Sequence, residues 1–201
     1  MKSLFLSLLI LSSFVSQSAY GLFDVQLLAG YRLVDYKAPG SNDAELSGLT
    51  ITGAFHLSPV PLLPVAVGLA VEYLNFDAKD WDNVEESSGF VFIPEIMAWL
   101  PIDLLSVTPY AKLGYAFGSL EFDGDNGVEG STDTSGLRVA VGAKWAPKFL
   151  PIMKFLLQGD YSFDQTKIED FSQNGEDVAG IDGGENSSGS FSVSLGVEVG
   201  I

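Results

Sequence analysis

The sequence has no cysteine. Disulfides, thiol catalysis and acylation of a lipoprotein cysteine are therefore excluded. Histidine is nearly absent too: only His56 is present. Bases are scarce, with 10 Lys and Arg against 26 Asp and Glu and a formal charge of −16. Phosphate binding needs Lys and Arg, so nucleic acid is excluded as a partner. Beyond the N-terminus no run approaches the roughly eighteen apolar residues of a transmembrane helix. No "GxSxG" elbow, "GxxxxGK" loop or "GxGxxG" turn occurs. His56 has no marked nucleophile to activate and reads as a structural residue. No catalytic residue and no cofactor site is expected, and the chain is not read as an enzyme.

The N-terminus, "MKSLFLSLLILSSFVSQSAYG", has the layout of a secretory signal peptide. Lys2 is its one charge, and the apolar run Leu4 to Val15 is too short to span a bilayer as a helix. Small residues offer cleavage after Ser18, Ala19 or Gly21. The expected division is a signal peptide over 1–21 and a single domain over 22–201, with no further domain after it. The mature chain is exported, and any membrane span in it must be made of strands.

Alternation predicts eight strands, at about 22–32, 47–57, 65–75, 89–100, 107–119, 136–146, 153–163 and 190–201. Their length matches the nine to eleven residues that cross a bilayer at a tilt, and exceeds the usual soluble strand. Three short Pro-containing stretches, "HLSPVPLLPV", "WLPIDLLSV" and "WAPKFLPIM", connect alternate strand pairs. The other connections read as long polar loops at about 33–45, 77–88, 121–135 and 164–189. This is the loop asymmetry of an outer-membrane barrel.

One face of every predicted strand is apolar and uncharged, as in Phe191, Val193, Leu195, Val197, Val199 and Ile201. The other face is rich in Gly, Ala and Ser, which suits the narrow interior of an eight-stranded barrel. Aromatics gather near both strand ends: Tyr31, Tyr73, Phe90, Phe117, Phe163 and Phe191 towards the long loops, and Phe23, Phe55 and Trp145 towards the short turns. The expected fold is all-β, an eight-stranded antiparallel up-and-down transmembrane β-barrel. A secreted soluble lipocalin-like barrel is the alternative. Strand four fits less well: it is apolar on both faces, through Val91, Ile93, Met97 and Trp99, and Pro94 within it predicts a bulge.

Charge separates by face. Five acids (Asp24, Glu72, Glu95, Asp160, Glu198) and five bases (Arg32, Lys112, Arg138, Lys144, Lys154) point inward and balance. Ion pairs among Glu72, Glu95, Lys112, Arg138, Lys144, Asp160 and Glu198 are expected to fill the lumen, with Glu95 and Lys112 as the leading pair. After loss of Lys2 the remaining imbalance lies on the long-loop side, with 20 acids and three bases. Such acids suit divalent cations, including those bridging lipopolysaccharide phosphates. Asp123, Asp125 and Glu129 in "DGDNGVEG" are weak metal candidates, because the full calcium-loop pattern is missing.

The stretches "VTPYAKLGYAFGSLEF" (107–122), "SGLRVAVGAKW" (135–145) and "SFSVSLGVEVGI" (190–201) are similar to strands of the small eight-stranded outer-membrane barrels of Gram-negative bacteria, the OmpA/OmpX-like family. That resemblance implies location in the cell outer membrane, contact with its lipid and lipopolysaccharide, and insertion by the outer-membrane assembly machinery. Implied roles range from envelope integrity and adhesion to a narrow pore. Members often end in an aromatic residue, where this chain has Ile201.

Overall fold

Eight long strands wind in chain order around one axis. The computed structural model describes residues 23–37, 44–60, 63–78, 86–100, 102, 106–124, 128–150, 152–173, 176–177 and 186–200. The strands are β1 (Phe23–Lys37), β2 (Ala44–Leu57), β3 (Val65–Ala78), β4 (Glu86–Trp99), β5 (Val107–Gly124), β6 (Val128–Trp145), β7 (Met153–Gln173) and β9 (Asn186–Gly200). A two-residue strand, β8 (Glu176–Asp177), pairs with the far end of β7. Neighbours pair antiparallel throughout, β6 pairs β7, and β1 pairs β9, so the sheet closes on itself. The signal segment, Asp125 and Ile201 lie outside the described residues.

The register fixes the barrel's geometry. Following cross-strand partners from Asp24 leads through His56, Gly68, Glu95, Gly114, Arg138, Ser162 and Ser190 back to β1 at Val34. The ladder thus closes ten residues further along the strand on which it began. A stagger of this size tilts eight strands by roughly 35–45° and leaves an interior that side chains can fill. All nine positions on that path face the lumen, so inside and outside alternate without a break.

The outer wall is apolar. Leu49, Leu195 and Val141 are 67%, 65% and 62% exposed, and Leu27, Ile51, Leu69, Ile96, Leu113 and Leu157 continue the belt round the barrel. A soluble protein does not show water an apolar surface that encircles it. The lipocalin-like alternative fails on this belt, and lipid is the solvent that fits it. Aromatics border it on both sides. Tyr73 and Phe90 pack at 5.1 Å between centroids and Tyr161 and Phe163 at 4.7 Å towards the long-loop end. Phe23 and Phe55 at 5.9 Å, and Trp145 and Phe155 at 5.6 Å, border the other end.

Two sequence expectations are corrected. Strands begin within about a residue of the expected place at the short-turn end but run well past it at the other. β7, for example, continues to Gln173 where the alternation stops at 163. Above the membrane both faces of a hairpin are wet, so the apolar–polar alternation disappears while backbone pairing persists. The three short connections, 58–64, 100–106 and 146–152, have seven residues each. The asymmetry of the two ends therefore comes from strands that rise beyond the membrane more than from long coils. The second correction concerns Pro94, where no bulge forms. Pairing with β3 is continuous through Leu69↔Pro94, and pairing with β5 lapses at Ile93 and Pro94 but resumes in the same register. The missing proline donor simply faces β5. The register shift lies instead between Ser131 and Thr132, where β6 meets β7.

Candidate functional site: the charged lumen

Inward positions hold two linked sets of polar side chains. Nearer the short turns, a chain of contacts crosses the barrel. Asp24 Oδ1 lies 2.9 Å from His56 Nδ1, and His56 Nε2 lies 2.7 Å from Glu95 Oε1. Lys112 Nζ donates to Glu95 Oε1 and to Gln26 Oε1, both at 2.9 Å. Gln26 Nε2 donates to Glu198 Oε2 at 2.8 Å. Glu198 also accepts from Lys144, and from Lys154 at 2.7 Å. This set draws on β1, β2, β4, β5, β6, β7 and β9, every long strand except β3. Lys144 Nζ also lies 5.3 Å and 5.9 Å from the ring centroids of Tyr110 and Trp99.

His56 is fully buried between two carboxylates. A neutral imidazole has one N–H and one acceptor nitrogen. Two carboxylate partners leave that acceptor facing a lone pair unless the unit holds one more proton, on the ring or on a carboxyl. Both ring nitrogens are occupied, so His56 has none left to activate a nucleophile.

The second set lies nearer the long loops. Arg32 Nη2 donates to Glu72 Oε1 at 3.1 Å and to Asp160 Oδ1 at 2.9 Å. Arg138 Nη2 pairs with Glu72 Oε2 at 2.6 Å. Thr52 donates to Glu72 at 3.2 Å, and Ser192 to Asp160 at 2.5 Å. The second set is charge-balanced, and the first is balanced before any extra proton on the His56 unit is counted; unpaired charges here would be costly.

Between the two sets lies a space of about 10 Å³, lined by residues that include Glu72, Glu95, Lys112 and Arg138. That is about the room one water needs, and its lining is polar. Much of the remaining lumen is filled by apolar side chains. Val91, Ile93, Leu74, Phe76 and Leu46 pack towards the loop end, and Leu28, Met97, Trp99, Tyr110 and Leu156 towards the turns. The doubly apolar β4 is thereby explained: its even residues face lipid, and its odd residues fill the lumen.

All seven residues expected to form lumen ion pairs face inward. Glu95 contacts Lys112, Glu198 contacts Lys144, and Arg138 contacts Glu72, with Asp160 held by Arg32. Sequence reasoning missed Gln26, the neutral bridge between Lys112 and Glu198, although it lies on the same alternating face as Asp24. It also assigned Asp164 to a loop, whereas Asp164 lies in β7, where it accepts from Ser162. Of the weak metal candidates, Asp123 and Glu129 are register partners across β5 and β6, and the Glu129 side chain is exposed. Among the described residues no group of three or more potential metal ligands converges.

Residues 4–198 match the family described as "Outer membrane protein beta-barrel domain". Among solved structures, the fold is similar to Neisserial surface protein A (NspA), at 16% identity and a TM-score of 0.58, covering 89% of this chain and 97% of that one. It is equally similar to the outer membrane protein OprG from Pseudomonas aeruginosa, at 15% identity and a TM-score of 0.58, covering 90% and 97%. The outer membrane protein AlkL in lipid bilayers matches at 17% identity and a TM-score of 0.55, covering 90% and 92%. No curated protein matches the sequence.

Proposed function

This chain belongs to the outer membrane protein β-barrel domain family, and from that premise we propose that it serves the outer membrane as a closed structural and interaction barrel. In this reading the assembly machinery inserts it with its short turns in the periplasm, and its acidic end meets lipopolysaccharide outside. One observation carries the closed lumen: two buried ion-pair sets tie nearly every strand across the interior, and the space between them has room for only about one water. In planar bilayers at neutral pH, single molecules should show no large, steady conductance. A sustained open level would overturn the closed reading in favour of a pore.

The interaction half rests on the register at the acidic end. Asp77, Glu86, Asp123 and Glu129 are cross-strand partners in sequence along β3, β4, β5 and β6. Asp35 likewise stands opposite Glu45. Like charges directly opposite destabilise a sheet, by roughly 0.2–1 kcal/mol per pair. A divalent cation shared with a lipopolysaccharide phosphate would relieve each pair. In bilayers containing lipopolysaccharide, millimolar calcium should raise the unfolding temperature by about 2–4 °C per kcal/mol relieved. The double variant Asp77→Asn with Glu86→Gln, which removes two of these four pairs, should lose about half of that response. Equal calcium responses in both proteins would reject this role for the acidic row.

A further inference from the structure

The loop-side half of the lumen contains a cavity of about 60 Å³ that lies above the second ion-pair set. Its walls differ in character. Val34, Leu46, Leu74, Phe76, Leu120 and Phe122, from β1, β2, β3 and β5, make one wall apolar. Thr132, Thr134, Thr166, Ser188 and Ser190, with the Asp164 carboxylate, make the other polar. Arg32 and Arg138 form the floor, being the deepest lining residues of β1 and β6. Both are nine-tenths buried or more, and neither Nε–H makes a hydrogen bond among the described residues; Arg138 Nε has only a long ion-pair contact, 3.9 Å from Asp160 Oδ1. A buried donor left unpaired is costly, so these two N–H groups call for an acceptor.

The charges decide what kind of acceptor fits. Glu72 and Asp160 already match the two guanidiniums. Asp164 adds one negative charge on the wall, where Ser190 Oγ approaches it at 3.5 Å. An anionic head would meet that carboxylate, and the cations among the described lining residues, Arg32 and Arg138, are already matched. A neutral head able both to accept and to donate would satisfy an Nε–H with its lone pair and Asp164 with its own hydrogen. We propose that this cavity is a binding site for a short, uncharged amphiphile with a hydroxyl or amide head. The head lies on Arg32, Arg138 and Asp164, and the alkyl body lies against Leu46, Leu74, Phe76 and Leu120. This site lies above the closed part of the lumen and does not require a pore.

The probe is 1-hexanol, titrated into isotope-labelled protein in lipid nanodiscs, with hexanoate at pH 7.5 for comparison. The side-chain Nε–Hε signals of Arg32 and Arg138, and the methyl signals of Leu46 and Leu74, should shift saturably with hexanol. Hexanoate should bind at least tenfold more weakly. Ala116→Phe and Thr132→Phe, each placing a ring in the cavity, should abolish the saturable shift while retaining the heat-dependent gel shift of a folded barrel. Should neither variant fold, the wild-type arginine signals and the hexanol-to-hexanoate ratio still decide. Shifts confined to outward residues such as Leu49 and Phe90, rising linearly as hexanol enters the bilayer, would overturn the site. Binding of hexanoate as tightly as hexanol would overturn the charge argument on which it rests. Planar-bilayer conductance is a separate readout, so failure here is distinguishable from failure of the closed-barrel reading.

Discussion

Glu198→Ala is expected to lower unfolding stability by about 3–5 kcal/mol, the loss typical when one partner of a buried ion pair is removed. Glu198 is fully buried and is contacted by Lys144, Lys154 and Gln26. The two lysines do not respond alike. The Lys154 side chain is 16% exposed and can swing towards water, whereas that of Lys144 is 3% exposed and cannot. Most of the loss should therefore come from the stranded Lys144 ammonium. The double variant Glu198→Ala with Lys144→Met should recover most of it, because removing both charges leaves no unpaired ion. Urea unfolding of the refolded barrel, followed by tryptophan fluorescence, measures both. A loss below about 1 kcal/mol in the single variant, or no recovery in the double, would mean that water reaches this level of the lumen. A closed lumen would then be untenable.

The same network marks how far the sequence can be read. Side-chain alternation exposes the lumen charges because a strand has a period of two and a lipid face tolerates no charge. Glu72, Glu95, Lys112, Arg138, Lys144, Asp160 and Glu198 are therefore all visible as interruptions on one face. Pairings are harder to read, since they depend on the ten-residue stagger that sets which heights meet across the barrel. Glu95 and Lys112 come together because their strands are adjacent, a relation the chain order supplies. Arg32 and Glu72 sit on β1 and β3, two strands apart, and only the closed geometry brings them to 3.1 Å. Gln26 is silent for another reason: an uncharged polar residue on an inward face looks like any small-lumen filler.

The apolar half of the lumen also escapes a reading based on alternation. Val91, Ile93, Met97 and Trp99 give β4 two apolar faces, a pattern that by itself fits a buried strand of any kind. In the barrel they lie against Leu74, Ala116, Leu28 and Leu156, their partners in the two apolar clusters. Interior glycines belong to the same argument. A Cβ on Gly142 would stand 2.5 Å from the Leu157 carbonyl and from the Tyr110 ring, so close strand approach and a filled lumen both require its absence. The upper ends of the strands leave almost no trace in the sequence, because wet hairpins lack a hydrophobic period.

Leu195→Arg is the second large effect, and it tests which solvent the outer wall meets. Leu195 is 65% exposed, midway along β9, between Ala29 of β1 and Leu157 of β7. At the midplane of a bilayer an arginine costs about 2–4 kcal/mol, falling to about 0–1 near the interface. Leu33 supplies the control on the same wall: it is 53% exposed and stands opposite Phe191, one of the aromatics at the loop-side border. Leu33→Arg should therefore be nearly neutral, because its guanidinium can reach the headgroups. Unfolding free energies of both variants, measured in lipid vesicles, should differ by at least about 2 kcal/mol, with Leu195→Arg the less stable. Equal effects would mean that the wall meets a uniform solvent. The depth dependence is what distinguishes a membrane-spanning wall from an apolar surface covered by protein.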